Sequence, residues 1–241
     1  MSPQISRGPG ARSASGPSST VEYMTTETPT TATVTVTRVG PMDNGSYLIS
    51  AGGNGLLIDA AAEPSRLLDI AAEQQVTITD VLTTHRHADH VGGLTEVLTA
   101  TGARHHASAQ DAADLPESVD VTWGEDPSPD EPRELTTSSD LLNQLGLQYV
   151  ILRGHTDGGL AVILPAQHAA DGLTHLFPGD SLFPGGVGKT DDAETFTRLL
   201  DDVTARCFTL PDDTIVHPGH GDPTTIGAER PHLDEWRQRG W

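Results

Sequence analysis

The stretch Thr84-His85-Arg86-His87-Ala88-Asp89-His90 constrains this chain more than any other. Three imidazoles and a carboxylate follow the β-prone run Val81-Leu82-Thr83 and precede a helix-like run, Leu94 to Thr101. Side chains alternate faces in an extended segment, so His85, His87 and Asp89 start on one side. The turn into the helix then brings His90 round. Imidazole nitrogens together with a carboxylate oxygen suit zinc, iron or manganese. The plain alternative is a solvated His-rich turn, but four ligand-type residues at this spacing between a strand and a helix rarely serve packing.

Around this stretch the pattern predicts a mixed fold. Thr31 to Val39 alternates and is β-branched, which reads as a strand. Asn44-Gly45 is a hairpin-turn signal. Strands over Ser46 to Ser50 and Gly55 to Asp59 then complete a meander. Pro64 to Gln74 has apolar residues at helical spacing, with Pro64 in the first turn. A strand over Ile78 to Thr84 leads into the histidines, and the next helix closes at Gly102. Arg104 to Ser108 reads as a short strand, and Pro116 to Pro132 as an acidic loop. Further strands are expected over Gly146 to Leu152, Leu160 to Leu164, Leu173 to Phe177 and Thr214 to His217, with helices over Ala193 to Cys207 and Glu229 to Arg239. A meander followed by interleaved strands and helices implies sheets covered by helices on their outer faces.

At 241 residues the chain can bury one sizeable core. Its hydrophobic content of 35% is low, which a tail accounts for: residues 1–30 are rich in Ser, Pro, Gly and Thr and read as a disordered extension. Met24 is a second candidate start. The formal net charge of -20 repels phosphate backbones, which argues against a nucleic-acid partner. Cys207 is the sole cysteine, so no intrachain disulfide forms, and it reads as a small buried residue. No apolar run approaches the roughly 20 residues of a membrane span. The first residues also lack the apolar core of a secretory signal, so a cytoplasmic protein is expected.

Three other strand ends offer ligands: Gly154-His155-Thr156, Gly179-Asp180-Ser181-Leu182-Phe183 and Pro218-Gly219-His220-Gly221. Their glycines suit close approach of backbone to a metal cluster. In this order, and with His-x-His-x-Asp-His ahead of them, these motifs resemble the metallo-β-lactamase-fold superfamily. Within it the likeness is to short bacterial glyoxalase II-like hydrolases, relatives of hydroxyacylglutathione hydrolase. It covers residue 31 to the end of the chain.

The resemblance implies an α/β (α+β) fold, a four-layer αββα sandwich, over residues 31–241. It implies two divalent metal ions, zinc before iron or manganese. One is held by His85, His87 and His155, the second by Asp89, His90 and His220, and Asp180 bridges them. A hydroxide shared by the two ions would attack a thioester or ester carbonyl of a small-molecule substrate. Asp89 and Asp180 are the expected catalytic carboxylates, with Asp89 orienting the nucleophile or relaying a proton. Asp59 and Thr156 are expected to support the ligands from behind, although Asp59 also reads as a turn cap. Lys189, the sole lysine, stands beside the Asp180 loop and is expected to meet an anionic group of the substrate. Two alternatives share the fold: a lactonase, and a persulfide dioxygenase with one iron on His85, His155 and Asp180.

The chain departs from the family pattern at Asp157, at Gly159 and in the loop Gly185 to Thr190. Only about twenty residues follow His220, where larger glyoxalase II enzymes have a helical domain that helps bind glutathione. Gly188-Lys189-Thr190 is not a phosphate-binding loop, because Phe183 stands where that motif needs its first glycine. His105, His106, His168, His175 and His232 read as surface or structural. His217 is at most a support for His220, and Trp236 and Trp241 are expected to pack the last helix.

Overall fold

The computed structural model describes residues 31–125, 132–134 and 139–240. The expected N-terminal extension, Met24, part of the acidic loop and Trp241 lie outside them. The first sheet takes its six strands in chain order: β1 (Thr33–Val39), β2 (Asn44–Ala51), β3 (Asn54–Ile58), β4 (Thr77–Leu82), β5 (Arg104–Ser108) and β6 (Val121–Trp123). It is antiparallel from β1 to β3 and parallel from β3 to β6. The second half of the chain contributes β7 (Arg133–Glu134), β8 (Gln148–Leu152), β9 (Gly159–Leu164) and β10 (His175–Gly179). A small hairpin of β11 (Leu182–Phe183) and β12 (Gly186–Val187) follows, then β13 (Ile215–Pro218) and β14 (Thr224–Thr225). The second sheet runs in the order β14-β13-β10-β9-β8-β7, and within it β10 and β13 pair in parallel.

Period-two alternation decides which side chains meet. Tyr47, Ile49, Ala51, Leu56 and Ile58 of the first sheet face Tyr149, Ile151, Leu160, Val162 and Phe177 of the second, forming the central core. The intervening residues point outward. Leu48, Leu57 and Val81 pack under α1 (Pro64–Glu73) and α2 (Leu94–Thr101). A third helix, α3 (Asp140–Leu145), adds Leu141, Leu142 and Leu145 to the central core. Val150, Ala161, Ile163 and Leu176 pack under α4 (Ala193–Arg206), with Ile226 of α5 (Ile226–Glu229) and Trp236 of α6 (Leu233–Arg239) completing that layer. The result is the expected helix–sheet–sheet–helix sandwich.

Several local expectations change. Asn44 and Gly45 are not a turn but the first residues of β2, paired with Val39 and Arg38. The reversal lies at Gly40 to Asp43, with φ of 71° and 57° at those two residues. Gly45 is glycine for a different reason: a Cβ there would overlap the ring of Tyr47, whose hydroxyl donates to the Pro218 carbonyl. The α3 helix went unread, although Ser139 caps it by accepting from the Leu142 amide. Gly146 is left-handed at its C-terminus, so the next strand starts later, at Gln148. The terminal helix is broken by a 3-10 turn, Arg230–His232, around Pro231.

Four of the non-ligand histidines are buried: His105, His106, His175 and His217. His106 pairs with the Asp80 carboxylate at 2.9 Å, and His105 lies 2.9 Å from the Thr83 hydroxyl. His175 is held between Asp171 and His217, at 3.1 and 3.0 Å. His217 belongs to the core rather than to His220, its ring stacked on Phe177 with centroids 4.8 Å apart. Burial, then the neighbouring His175 and Arg38, push the His217 pKa down from 6.5 to about 3, with Asp171 acting weakly the other way. The unfolded chain therefore binds a proton on this ring near pH 6.5 and the folded chain only near 3. Folding stability falls as pH drops through that window and is unaffected by this group above it. A His217→Phe variant is expected to lose less stability than the parent between about pH 7 and 4. Urea midpoints measured across the range test this, and parallel curves would contradict it.

Candidate metal centre

The site begins where β3 and β4 end side by side. Asp59 follows β3 in a left-handed conformation, φ 55°, which is sparse for a non-glycine residue. Its amide donates to the Leu82 carbonyl at 2.9 Å. Its carboxylate accepts from the Thr84 amide and hydroxyl, both at 2.7 Å, and from Nδ1 of His90 at 2.8 Å. The Thr84 hydroxyl in turn lies 3.0 Å from His85 Nδ1. One buried carboxylate thus orients two imidazoles, directly and through a threonine.

The other strand ends repeat this device. His155 follows β8 and donates from Nδ1 to the Lys189 carbonyl at 2.7 Å. His220 follows β13 and donates from Nδ1 to the Met42 carbonyl at 2.9 Å. With Nδ1 engaged, His85, His90, His155 and His220 each turn Nε2 towards the cluster, the nitrogen that would bind a cation. Asp180, following β10, places Oδ1 3.3 Å from His90 Nε2, and Oδ2 3.4 Å from His220 Nε2 and 3.6 Å from His155 Nε2. Asp89 Oδ2 lies 3.1 Å from His220 Nε2.

All seven expected ligand residues therefore converge. Three sets each bring their donor atoms within 4.8 Å of one another: His85, His87 and His155; His85, His90 and Asp180; Asp89, His90 and His220. His85 Nε2, His155 Nε2 and Asp180 Oδ1 are buried with no hydrogen-bond partner, which is costly for polar atoms. His90 Nε2 and His220 Nε2 face each other at 3.3 Å. Orphaned lone pairs converging in this way fit cations better than any hydrogen-bonding scheme.

The local field has the matching sign. Burial opposes a charge on His90, but the Asp59 and Asp180 carboxylates outweigh it and raise its pKa to about 10. Burial also opposes ionisation of Asp180, yet His220 and His90 hold its carboxyl far below the usual range. Burial, reinforced by His90, keeps His85 neutral. Glycine gives the backbone room here: a Cβ on Gly219 would fall on Asp180 Oδ1 and 2.7 Å from His90 Cε1.

The supporting residues divide. Asp59 is engaged as described. Thr156 is buried, but its hydroxyl has no partner among the described residues, and its carbonyl accepts from the Gly154 amide. The Lys189 side chain is exposed and lines a cavity of about 290 Å³ with Phe196 and Arg239. Asn44 was missed. It is 1% exposed, and its amide donates to Asp89 Oδ2 at 3.0 Å, with Nδ2 also 3.4 Å from His220 Nε2. The buried amide inside a strand was the signal, hidden by the turn-like Asn-Gly pair.

A sequence profile of the Metallo-beta-lactamase superfamily matches residues 39–220, and the chain belongs to this superfamily of metal-binding hydrolases that act on small molecules. The hydroxyacylglutathione hydrolase GloC of Haemophilus influenzae is 31% identical over 188 residues, 73% of this chain and 84% of that protein. Among solved structures, a di-iron-bound form of TTHA1623 superposes with a TM-score of 0.63 at 28% identity, covering 82% of this chain and 97% of that one. ETHE1 from Myxococcus xanthus gives 0.63 at 28%, covering 85% and 84%. Among the described residues no helix is long and apolar enough to cross a membrane.

Proposed function

We propose that this chain is a dinuclear metal-dependent hydrolase that cleaves a thioester or ester-type bond in the manner of glyoxalase II. The observation that carries the reading is the pair of three-donor groups, His85/His87/His155 and Asp89/His90/His220, with Asp180 within reach of both. In this reading each group holds one cation and Asp180 joins them. The bound ions supply Lewis acidity and a water acidified towards neutral pH. Water adds across the acyl bond, releasing a carboxylic acid and a thiol or alcohol.

The residues of the chain do the rest. Asp59, Thr84 and the carbonyls of Met42 and Lys189 fix the ring orientations. Asn44 holds Asp89, so that its carboxylate is set to orient the attacking water or take its proton. Lys189, exposed on the segment that also anchors His155, meets an anionic part of the substrate. Zinc is the first choice of metal. Iron is the second, supported by the likeness to a di-iron protein.

Metal analysis of the purified protein, combined with a panel of thioesters, esters, lactones and a persulfide, tests the proposal. About two ions per chain, with thioester or ester turnover lost on chelation, are expected. One iron with oxygen uptake on the persulfide would replace it with the dioxygenase reading, and preferred lactone turnover with the lactonase reading.

A further inference from the structure

We infer that Arg86 is a positioning residue for one metal position alone: its two-point hold on Asp111 fixes the loop that presents His87, and leaves the Asp89/His90/His220 group untouched. The inference rests on the dinuclear reading above. Arg86 stands between two proposed ligands. Its amide donates to Asp111 Oδ2 at 3.2 Å and its guanidinium to Asp111 Oδ1 at 2.8 Å. The Asp111 side chain is 1% exposed, so this is a buried, charge-assisted grip. Asp111 is itself tethered, its amide donating to Ser108 Oγ at 3.2 Å.

The same guanidinium reaches a third loop. Asp157, two residues beyond His155, places Oδ2 3.6 Å from Arg86. Next to it, Gly158 sits so close to the loop after β5 that a Cβ would lie 2.5 Å from Ser108 Oγ and 2.6 Å from Gln110 Cβ. Arg86 is thus the cation at the junction of the segments carrying His85, His87 and His155. Asp157, one of the departures from the family pattern, has its partner here.

His87 is the ligand that needs such a device. The other four ligand imidazoles have Nδ1 held by a hydrogen bond. The His87 ring is exposed and makes none among the described residues. Its ring contacts among the described residues are edge contacts with the rings of His85 and His155, at 4.7 and 4.6 Å. Its position is therefore set by its backbone, and that backbone is clamped at residue 86. The opposite group meets this backbone at one point, the His90 amide donating to the His87 carbonyl at 3.0 Å, while its side chains are held separately by Asp59, Asn44 and Met42.

The experiment is a metal titration on the full chain, with Zn²⁺ competed by a chromophoric chelator, for the parent, Arg86→Gln, Asp111→Asn, Arg86→Lys, His87→Ala and the Arg86→Gln/His87→Ala double variant. Arg86→Gln is expected to bind one ion as the parent does and the other roughly 10–100-fold more weakly. Arg86→Lys should recover part of the loss. The double variant should bind no worse than His87→Ala, because both changes act through one ring. Equal weakening of both ions, no weakening of either, or additive losses would overturn the inference. If Arg86→Gln does not fold, Asp111→Asn, which keeps the shape and weakens the grip, is subject to the same criteria. A parent that binds fewer than two ions would instead fail the dinuclear reading.

Discussion

An Asp180→Asn enzyme is expected to lose at least about a thousandfold in turnover, since even the outer partners of metal ligands are worth roughly 10–100-fold. Among the described residues, Asp180 is the carboxylate whose oxygens lie within 3.6 Å of Nε2 atoms of both three-residue groups, His90 and His220 on one side and His155 on the other. An amide of the same shape leaves those imidazoles in place but supplies no charge to offset two neighbouring cations. Metal content should fall from about two to one or fewer, and the far-ultraviolet circular dichroism should not change. Retention of both ions and of the parental rate would remove Asp180 from the proposed chemistry.

The second large effect is expected from one added methyl group. In Gly219→Ala the new Cβ collides with Asp180 Oδ1 and with the His90 ring. The residue cannot retreat, because its amide donates to the Gly179 carbonyl at 2.9 Å and its carbonyl accepts from Gly45 at 2.8 Å. Asp180 or His90 must move instead, and a displacement of about 1 Å in a catalytic site costs on the order of a hundredfold. Gly221→Ala is the control. Gly221 has φ 67° with open space around it, so its alanine carries about 1–2 kcal/mol of backbone strain and no collision. Thermal unfolding and metal content should separate the two variants: the first stays folded and binds metal poorly, the second is less stable and binds it normally.

What could be read in the sequence followed the range of the physics. The His85 to His90 run, Gly154-His155, Gly179-Asp180 and Gly219-His220 were visible because ligand chemistry and the glycines beside it are local. The central strands were visible because Ile49, Leu57 and Val162 lie in short, continuous aliphatic runs bounded by glycine or turn residues, whatever lies opposite. Asn44 was misplaced because its local chemistry favours a turn, whereas its role depends on Asp89, 45 positions away. His217 could not be told from a helper of His220 until Phe177 and His175 closed around it. The short α3 helix offered two turns at most, too few for a period to emerge beside an acidic loop. Arg86 carried no sequence signal of its own, since Asp111 and Asp157 meet it only in three dimensions.

The two sheets do not contribute equally to the cluster. His85, His87, Asp89 and His90 follow a strand of the first, while His155, Asp180 and His220 follow strands of the second. Neither half of the chain can assemble a complete set of donors alone, so tight ion capture must wait until the halves have docked. Under the dinuclear reading the ions then act as a late bolt across the seam, their binding energy added to the energy that keeps the halves together. A cell short of metal would accumulate this protein in a more easily opened form, and its lifetime against proteolysis would follow metal supply as closely as its catalysis does.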